Sequence, residues 1–130
     1  MRRPAPAVRP LPVRRDARGV LVKAWPAAVA GEVYAVEIRP GASRGHHLHR
    51  RGGEWFVPLG GRAVLVVADP ADGRRWEIPL AGVRAWVPAG LAHAIFALGE
   101  APAWVLAVAD RRPDDDETVP HPLDPPGDLR

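Results

Sequence analysis

The stretch GASRGHHLHRRGGEWFVPLGG, residues Gly41–Gly61, is the part of the chain from which the rest of the fold can be worked out. It places His47 and His49 two residues apart and Glu54 five residues later. Side chains two residues apart in an extended strand point to the same face, so the two imidazoles share one face. We expect a turn through Gly52-Gly53 to bring Glu54 back to them on the neighbouring strand.

Two imidazoles and a carboxylate that converge form a ligand set for a divalent transition metal ion. A fourth candidate ligand is His93, in the later stretch GVRAWVPAGLAH. The chain contains no cysteine, so thiolate ligands and disulfides are both excluded. An HxH pair alone also occurs without metal, and it is the four residues together in a β-rich chain that predict the site. Ligand type does not choose among Zn, Fe, Mn, Ni and Co.

Length and composition predict one globular domain. The chain has 130 residues, of which 47% are apolar, enough for one buried core and too few for two. No apolar run approaches the length that spans a bilayer, so we expect no membrane partner. The N-terminus continues with proline and arginine where a signal peptide needs an apolar segment, and we therefore expect a cytoplasmic protein.

The net charge of +3 is unevenly distributed along the chain. Residues 1–18 carry six arginines and one aspartate, a charge of +5, whereas residues 111–130 carry three arginines and six acids, a charge of −3. Residues 19–110 contribute only +1. A nucleic-acid-binding surface needs a basic stripe interleaved with aromatic residues, and this pattern is missing, so we expect no nucleic-acid partner.

Short β-branched and apolar segments separated by Gly/Pro turns predict an all-β sandwich or barrel of eight or nine strands, with no convincing helix. The predicted segments are Gly19–Trp25, Gly31–Arg39, Ser43–Arg50, Glu54–Val57, Ala63–Ala68, Arg74–Leu80, Val83–Val87, His93–Leu98 and Ala103–Ala109. Residues 1–18 are rich in proline, which cannot donate to a sheet, and we expect a flexible arm, solvated or laid across a partner subunit. Residues 19–110 then form the barrel, and the Pro/Asp-rich residues 111–130 form a tail over its surface.

Two motifs in the chain resemble those of the metal-binding cupins. The first has the form G-x5-H-x-H-x4-E-x6-G, with Gly41, His47, His49, Glu54 and Gly61. The second has the form G-x5-P-x-G-x2-H, with Gly82, Pro88, Gly90 and His93. The resemblance implies a single-domain double-stranded β-helix, or jelly-roll barrel, whose one metal ion is bound by His47, His49, Glu54 and His93.

A narrower resemblance covers residues 31–123. Arg44-Gly45 before the histidines, and the later PAGLAHAI, are similar to segments of the cupins that act on nucleotide-linked 4-keto sugars. These are the dTDP-4-dehydrorhamnose 3,5-epimerase-like enzymes, the 3,4-ketoisomerases and the cupin part of capsule-synthesis enzymes. The resemblance implies an isomerase or epimerase of a nucleotide-linked keto-deoxysugar, with metal-assisted proton transfer next to the carbonyl, in polysaccharide or deoxysugar biosynthesis. It also implies a homodimer.

The resemblance assigns roles to individual residues. His47 would be the base that removes the proton, and Arg44 would contact the charged substrate. A histidine bound to a metal has committed its lone pair, so the two roles of His47 conflict. We interpret His47 as a ligand, which leaves His46, Tyr34 or a metal-bound hydroxide as the base.

Two other functions share the same residues. A cupin dioxygenase or another small-molecule metalloenzyme has the same ligand set, and a non-catalytic cupin binds a sugar or other ligand without turnover. The chain departs from the 3,5-epimerases at one position. Those enzymes carry a tyrosine on the last strand where this chain has Leu106, and the single tyrosine of this chain is Tyr34.

Overall fold

The computed structural model describes residues 3–127, so the first two residues of the arm and the last three of the tail lie outside the described part. Each predicted segment overlaps a strand. The strands are β1 Ala7–Pro10, β2 Val13–Asp16, β3 Gly19–Val22, β4 Glu32–Ile38, β5 Ser43–His49, β6 Glu54–Gly60, β7 Arg62–Ala68, β8 Arg75–Pro79, β9 Val83–Val87, β10 Ala92–Leu98, β11 Ala103–Ala109 and β12 Thr118–Pro120. A 3₁₀ turn lies at Pro113–Asp115, and no α-helix occurs among residues 3–127. No helix in this part of the chain has the length and apolar character needed to cross a membrane.

Two five-stranded antiparallel sheets face each other and form the barrel. The first sheet has the order β1-β9-β6-β11-β4 and the second has the order β12-β5-β10-β7-β8. Strands β2 and β3 form a separate hairpin. This all-β architecture confirms the predicted cupin-type barrel.

The space between the sheets is filled by alternate side chains of each strand. On β7, Ala63, Leu65 and Val67 belong to this inner core, while Val64 and Val66 face outward. The outward pair is nevertheless buried, because it packs with β10 residues and with Leu123 of the C-terminal segment. Burial on both faces explains why the sequence of β7 is an uninterrupted apolar run.

Both terminal segments contain strands that the sequence did not predict. Residues 7–10 pair with β9 at the edge of the first sheet, and residues 13–16 form half of the hairpin. Pro10 is compatible with this position because it ends an edge strand, where a missing donor costs no central ladder hydrogen bond. In the tail, β12 pairs with β5, the strand that carries the HxH histidines. These three strands account for the difference between the nine predicted segments and the twelve strands of residues 3–127.

Candidate metal centre and active site

The structure brings His47, His49 and His93 together inside the barrel. His47 and His49 lie on β5, and His93 on the neighbouring β10 pairs directly with His47. The ring centroids of the three imidazoles are 4.9 to 5.4 Å apart. One ring nitrogen from each lies within 4.8 Å of those of the other two, close enough for a single cation to contact all three.

Glu54 meets the cluster from the opposite sheet. Its Oε1 lies 2.5 Å from His49 Nε2, and its Oε2 accepts a 2.6 Å hydrogen bond from the Tyr34 hydroxyl. The expectation that Glu54 lies on the strand next to the histidines was wrong, because β6 belongs to the first sheet and β5 to the second. Residues Gly52-Gly53 therefore cross between sheets, and the absence of a side chain at Gly53 leaves room for the Trp86 indole.

A β-bulge in β5 sets the direction of Arg44. His47 pairs with His93, but the next residue of β10, Ala94, pairs with Gly45, so His46 is the extra residue. The extra residue shifts the alternation by one, and Arg44 then pairs with Ile95, whose side chain lies in the inner core. Arg44 thereby lines the same recess as His47. Strict alternation from His47 would have placed Arg44 on the outer face.

His46 lies on the opposite face of the sheet from the cluster. Its Nε2 is 2.9 Å from Ser43 Oγ, and its Nδ1 accepts a 3.1 Å hydrogen bond from the Leu123 N–H. The ring packs edge-on against Phe96, which belongs to the outer apolar cluster. The structure thus does not bring His46 to the other candidate site residues, and its ring joins the bulge to the C-terminal segment.

The ionisable groups of the site have shifted pKa values. Burial lowers the pKa of His93 to about 3, so this imidazole is neutral at pH 7. Burial, together with the neighbouring His49, also lowers the pKa of His47. Burial and the Glu54 carboxylate raise the pKa of Tyr34, which stays a phenol and a hydrogen-bond donor.

His49 and Glu54 are shifted in the directions of a charged pair. Burial alone would lower the pKa of His49, but contacts with Glu54 and Asp116 outweigh it and raise the pKa. Burial alone would raise the pKa of Glu54, but contacts with His49 and Tyr34 outweigh it and lower the pKa. His49 is thus held between two carboxylates, one on each ring nitrogen.

The residues present fit a divalent metal ion. His93 Nδ1 is buried and makes no hydrogen bond, whereas His49 Nε2 is buried and faces Glu54 Oε1. Buried polar nitrogens without partners are uncommon in folded proteins and call for an explanation such as an ion. Three imidazoles and one carboxylate are a donor set suited to Zn, Fe, Mn, Ni or Co.

Two recesses adjoin the cluster. One has a volume of about 160 Å³ and is lined by Tyr34, Val36, Arg44, Gly45, His47, Phe56, His93 and Ile95. The other, of about 270 Å³, contains His49, Glu54, Asp116 and two arginines from the segment after β11, Arg111 and Arg112. Tyr34 lines both recesses and so lies at the boundary between them. The smaller recess is lined by apolar side chains, two histidines and one arginine, whereas the larger recess includes carboxylates and two arginines.

A larger cavity, of about 570 Å³, lies beneath the β2–β3 hairpin. Its lining is mostly apolar, with Arg15 and Arg62 as its charged residues. It contains none of the candidate site residues, so its size does not make it the site of the chemistry.

Comparison with known proteins places the chain in a family. The polysaccharide biosynthesis C-terminal domain matches residues 14–118, which is most of the chain. The chain belongs to this family. No curated protein sequence matches the chain in a direct comparison.

Solved structures share the fold of this family member. A dTDP sugar isomerase from Desulfovibrio desulfuricans G20 is 19% identical with a TM-score of 0.78, covering 89% of this chain and 84% of its own. The 3'-monoepimerase ChmJ from Streptomyces bikiniensis, in complex with dTDP-quinovose, is 19% identical with a TM-score of 0.72, covering 88% and 69%. The capsular polysaccharide assembling protein CapF from Staphylococcus aureus is 22% identical with a TM-score of 0.66, covering 88% of this chain but 32% of its own length.

Sequence reasoning missed one residue that contacts the site. Asp116 lies within the family match, in the tail that was expected only to cover the surface, and its Oδ2 lies 3.1 Å from His49 Nδ1. It is one of four consecutive acidic residues from Asp114 to Glu117, and nothing in that run distinguishes it. The sequence feature that could have identified this segment was its run of carboxylates after the last predicted strand, in a barrel with a histidine pair that needs partners.

Proposed function

We propose that this protein is a metal-dependent isomerase or epimerase of a nucleotide-linked keto sugar, in polysaccharide or deoxysugar biosynthesis. The observation that carries the proposal is the meeting of three imidazoles and Glu54 beside a recess lined by Arg44. The family supports the polysaccharide setting. The similar structures include an isomerase of dTDP sugars and an epimerase that binds dTDP-quinovose, which supports the substrate class.

The metal would be held by His47, His49, His93 and Glu54. Such an ion supplies Lewis acidity toward a ketone oxygen, which favours loss of a proton from the adjacent carbon. The neutral state of His93 and the lowered pKa of His47 leave ring lone pairs free for coordination at neutral pH. The identity of the ion stays open among Zn, Fe, Mn, Ni and Co.

Arg44 would contact the charged part of the substrate. Its Nε donates a 2.9 Å hydrogen bond to the Glu37 carbonyl, which fixes the direction of the side chain at the rim of the recess. A fixed guanidinium at the mouth of a site pairs well with phosphate oxygens. The bulge at His46 is therefore what gives the recess its cation.

Tyr34 would move a proton. Its hydroxyl lines the recess and is protonated at neutral pH, so it can deliver a proton to carbon or to an oxygen of the substrate. His46 is unsuited to the role because its ring lies on the outer face. With His47 taken as a metal ligand, Tyr34 is the proton donor that the geometry favours, and a metal-bound hydroxide would be the base that takes the proton from carbon.

The test is deuterium uptake from heavy water into a panel of nucleotide-linked 4-keto sugars, measured with metal-reloaded protein. We expect exchange next to the ketone in the wild type, and its loss in His49→Ala and Glu54→Gln. His121→Asn is the matched control, since it removes an imidazole outside the cluster. In Tyr34→Phe, we expect product formation to fall by about 10²–10⁴-fold, the usual contribution of a positioned acid or base.

Other outcomes would contradict specific parts of the proposal. Reloaded protein with no metal above trace would overturn the metal site. Protein that binds metal but gives no deuterium exchange with any sugar of the panel would overturn the isomerase proposal. Oxygen consumption that depends on iron would then indicate a dioxygenase. Tight sugar-nucleotide binding without either reaction would indicate a non-catalytic binding protein. The homodimer and the cytoplasmic location stay predictions, which light scattering and cell fractionation address.

A further inference from the structure

The two recesses beside the cluster are each small for a nucleotide-linked sugar, but they adjoin. Their volumes are about 160 and 270 Å³, whereas a pocket that buries most of a drug-sized ligand has about 300–1,000 Å³. Tyr34 lines both recesses, and the four candidate metal ligands are divided between them. His47 and His93 line the smaller recess, and His49 and Glu54 line the larger one. A ligand of this size at the cluster would therefore extend into both.

Arg111 is held in the larger recess in the same way as Arg44 in the smaller one. The Nε of Arg111 donates a 3.2 Å hydrogen bond to the Arg51 carbonyl, as the Nε of Arg44 does to the Glu37 carbonyl. The terminal nitrogens of both side chains have no hydrogen-bond or ion-pair partner among residues 3–127. A guanidinium group held by its Nε keeps its terminal N–H groups for a ligand, and these suit the oxygens of a phosphate or carboxylate.

The backbone that carries Arg111 and Arg112 is fixed against the barrel. The Asp110 N–H donates a 3.1 Å hydrogen bond to the Gly53 carbonyl, and Asp110 Oδ1 accepts one of 2.9 Å from the Gly53 N–H. On the other side, a Cβ at Gly31 would lie 2.5 Å from the backbone nitrogen and oxygen of Arg111, so only a glycine permits this close packing. Because the backbone is already ordered, less conformational freedom is lost when the two arginines bind a ligand.

The carboxylates of the larger recess have other partners, with one exception. Both oxygens of Glu54 face other side chains, and Asp116 accepts three backbone hydrogen bonds besides its contact with a histidine. Neither carboxylate forms an ion pair with Arg111 or Arg112. The exception is Glu32, which is exposed and forms no hydrogen bond or ion pair within residues 3–127. The two guanidinium groups of the recess are thus available to an anion from solution.

We propose that Arg111 and Arg112 form an oxyanion subsite in the larger recess, separate from Arg44. Arg44 is held near the end of strand β4 and Arg111 next to its start, with Tyr34 on the strand between them. The inference rests on the proposed function for the identity of its ligand, which is an oxyanion of the nucleotide-linked sugar. That oxyanion has two possible chemical sources, a phosphate of the nucleotide or a carboxylate on the sugar, and the experiment distinguishes them.

Calorimetric titration of the metal-free protein measures the subsite without catalysis and without an ion that would bind phosphate itself. The probes are dTDP, dTDP-glucose and dTDP-glucuronate, and the last carries a carboxylate where the second has a hydroxymethyl group. We expect Arg111→Gln and Arg112→Gln each to lower affinity by about 5–30-fold, the loss of one or two charge-assisted hydrogen bonds. A loss shared by all three probes identifies the oxyanion as a phosphate, and a loss confined to dTDP-glucuronate identifies it as the sugar carboxylate.

Two further variants control for net charge. Arg50→Gln removes the same charge nearby, but Arg50 pairs with Glu117 at 3.1 Å and does not line the recess. We expect this variant to change affinity by less than about twofold. Glu32→Gln removes the unpaired negative charge of the recess, and we expect it to raise affinity for the same probes by about two- to fivefold.

The outcomes separate this inference from the proposed function. Equal losses in Arg50→Gln and Arg111→Gln would assign the effect to net charge and overturn the subsite. Unchanged affinity in both recess variants, or a wild type that binds none of the probes, would overturn it as well. Should Arg111→Gln fail to fold, Arg112→Gln decides the question, because the Arg112 side chain makes no hydrogen bond or ion pair within residues 3–127. Arginine-dependent binding without deuterium exchange would retain the subsite and overturn the isomerase proposal, and exchange without arginine-dependent binding would do the reverse.

Discussion

Tyr34 and Glu54 form a pair in which each residue depends on the other. Tyr34 lies on the edge strand β4 and points inward, and its hydroxyl donates to a Glu54 oxygen that is otherwise buried. Since the other Glu54 oxygen faces His49, the phenol determines which oxygen is left for the cluster. A buried carboxylate with each oxygen assigned to one neighbour is a rigid ligand, which is what a metal site requires.

We expect Tyr34→Phe to lower the free energy of unfolding of the metal-free protein by about 1–3 kcal/mol, because a buried carboxylate oxygen loses its donor. Urea denaturation in the presence of a chelator measures this change. Val33→Ala is the matched control, since Val33 is adjacent on the same strand, points outward and is 47% exposed. We expect the control to change stability by less than about 0.5 kcal/mol, and a similar loss in both variants would contradict the assigned hydrogen bond.

At the scale of the strand, the β-bulge in β5 determines which side chains face the cluster. A regular seven-residue strand would present His47 and His49 inward with Arg44 and His46 outward. The bulge separates Arg44 from His46 and places them on opposite faces, one beside the cluster and one against Phe96. Gly45 permits this with a φ of 101° and with the His93 carbonyl so close that a Cβ would lie 2.9 Å from its oxygen.

We expect Gly45→Ala to cost about 1–3 kcal/mol from backbone strain alone, and more from the clash with β10. Gly41→Ala is the control, since Gly41 also has a positive φ, of 78°, but has open space around its Cβ position. Denaturation of both variants, together with Co²⁺ binding, checks the prediction. Gly45→Ala should lose metal affinity and Gly41→Ala should keep it, so equal affinities would show that the bulge does not support the site.

The same strand shows how far sequence reasoning reaches. The sequence could predict that His47, His49, Glu54 and His93 come together, because period-two alternation and motif spacing are local properties. The bulge was not, because Gly45-His46 also suits a regular strand, and the register with β10 is set only by the folded sheet. Asp116 was not predictable because its partner is 67 residues away and its neighbours in sequence are also acidic.

At the scale of the whole molecule, both proline-rich ends are part of the barrel. The C-terminal segment pairs with β5, and its Leu123 covers the outer face of the second sheet. At the other end, Arg3 donates a 3.2 Å hydrogen bond to Asp69 in the loop between β7 and β8. Composition favoured disorder for these segments, but long-range contacts that composition does not encode hold them in place.

Asp69 links the N-terminal segment to this loop and sets an expected acid sensitivity. The side chain is 2% exposed and accepts hydrogen bonds from Ala71 N–H, Arg74 and Arg3. The Ala71 hydrogen bond, with those of the two arginines, lowers the pKa of Asp69 below its ordinary value. Since the pKa is lower in the folded state, Asp69 stabilises the fold above the ordinary carboxyl pKa of about 4, and this contribution is lost as the pH falls further through the folded-state pKa.

We therefore expect Asp69→Asn to lower the melting temperature of the metal-free protein by several degrees at pH 7 and by much less near pH 2, where the wild-type carboxyl is also protonated. Asp72→Asn is the control within the same loop, because its side chain is 31% exposed and is bound by Arg74 without contacting Arg3. Thermal unfolding from pH 7 to pH 2 compares the three proteins. A constant difference between the wild type and Asp69→Asn over that range would show that the stability linked to Asp69 does not depend on its charge, and the assigned network of donors would then be wrong.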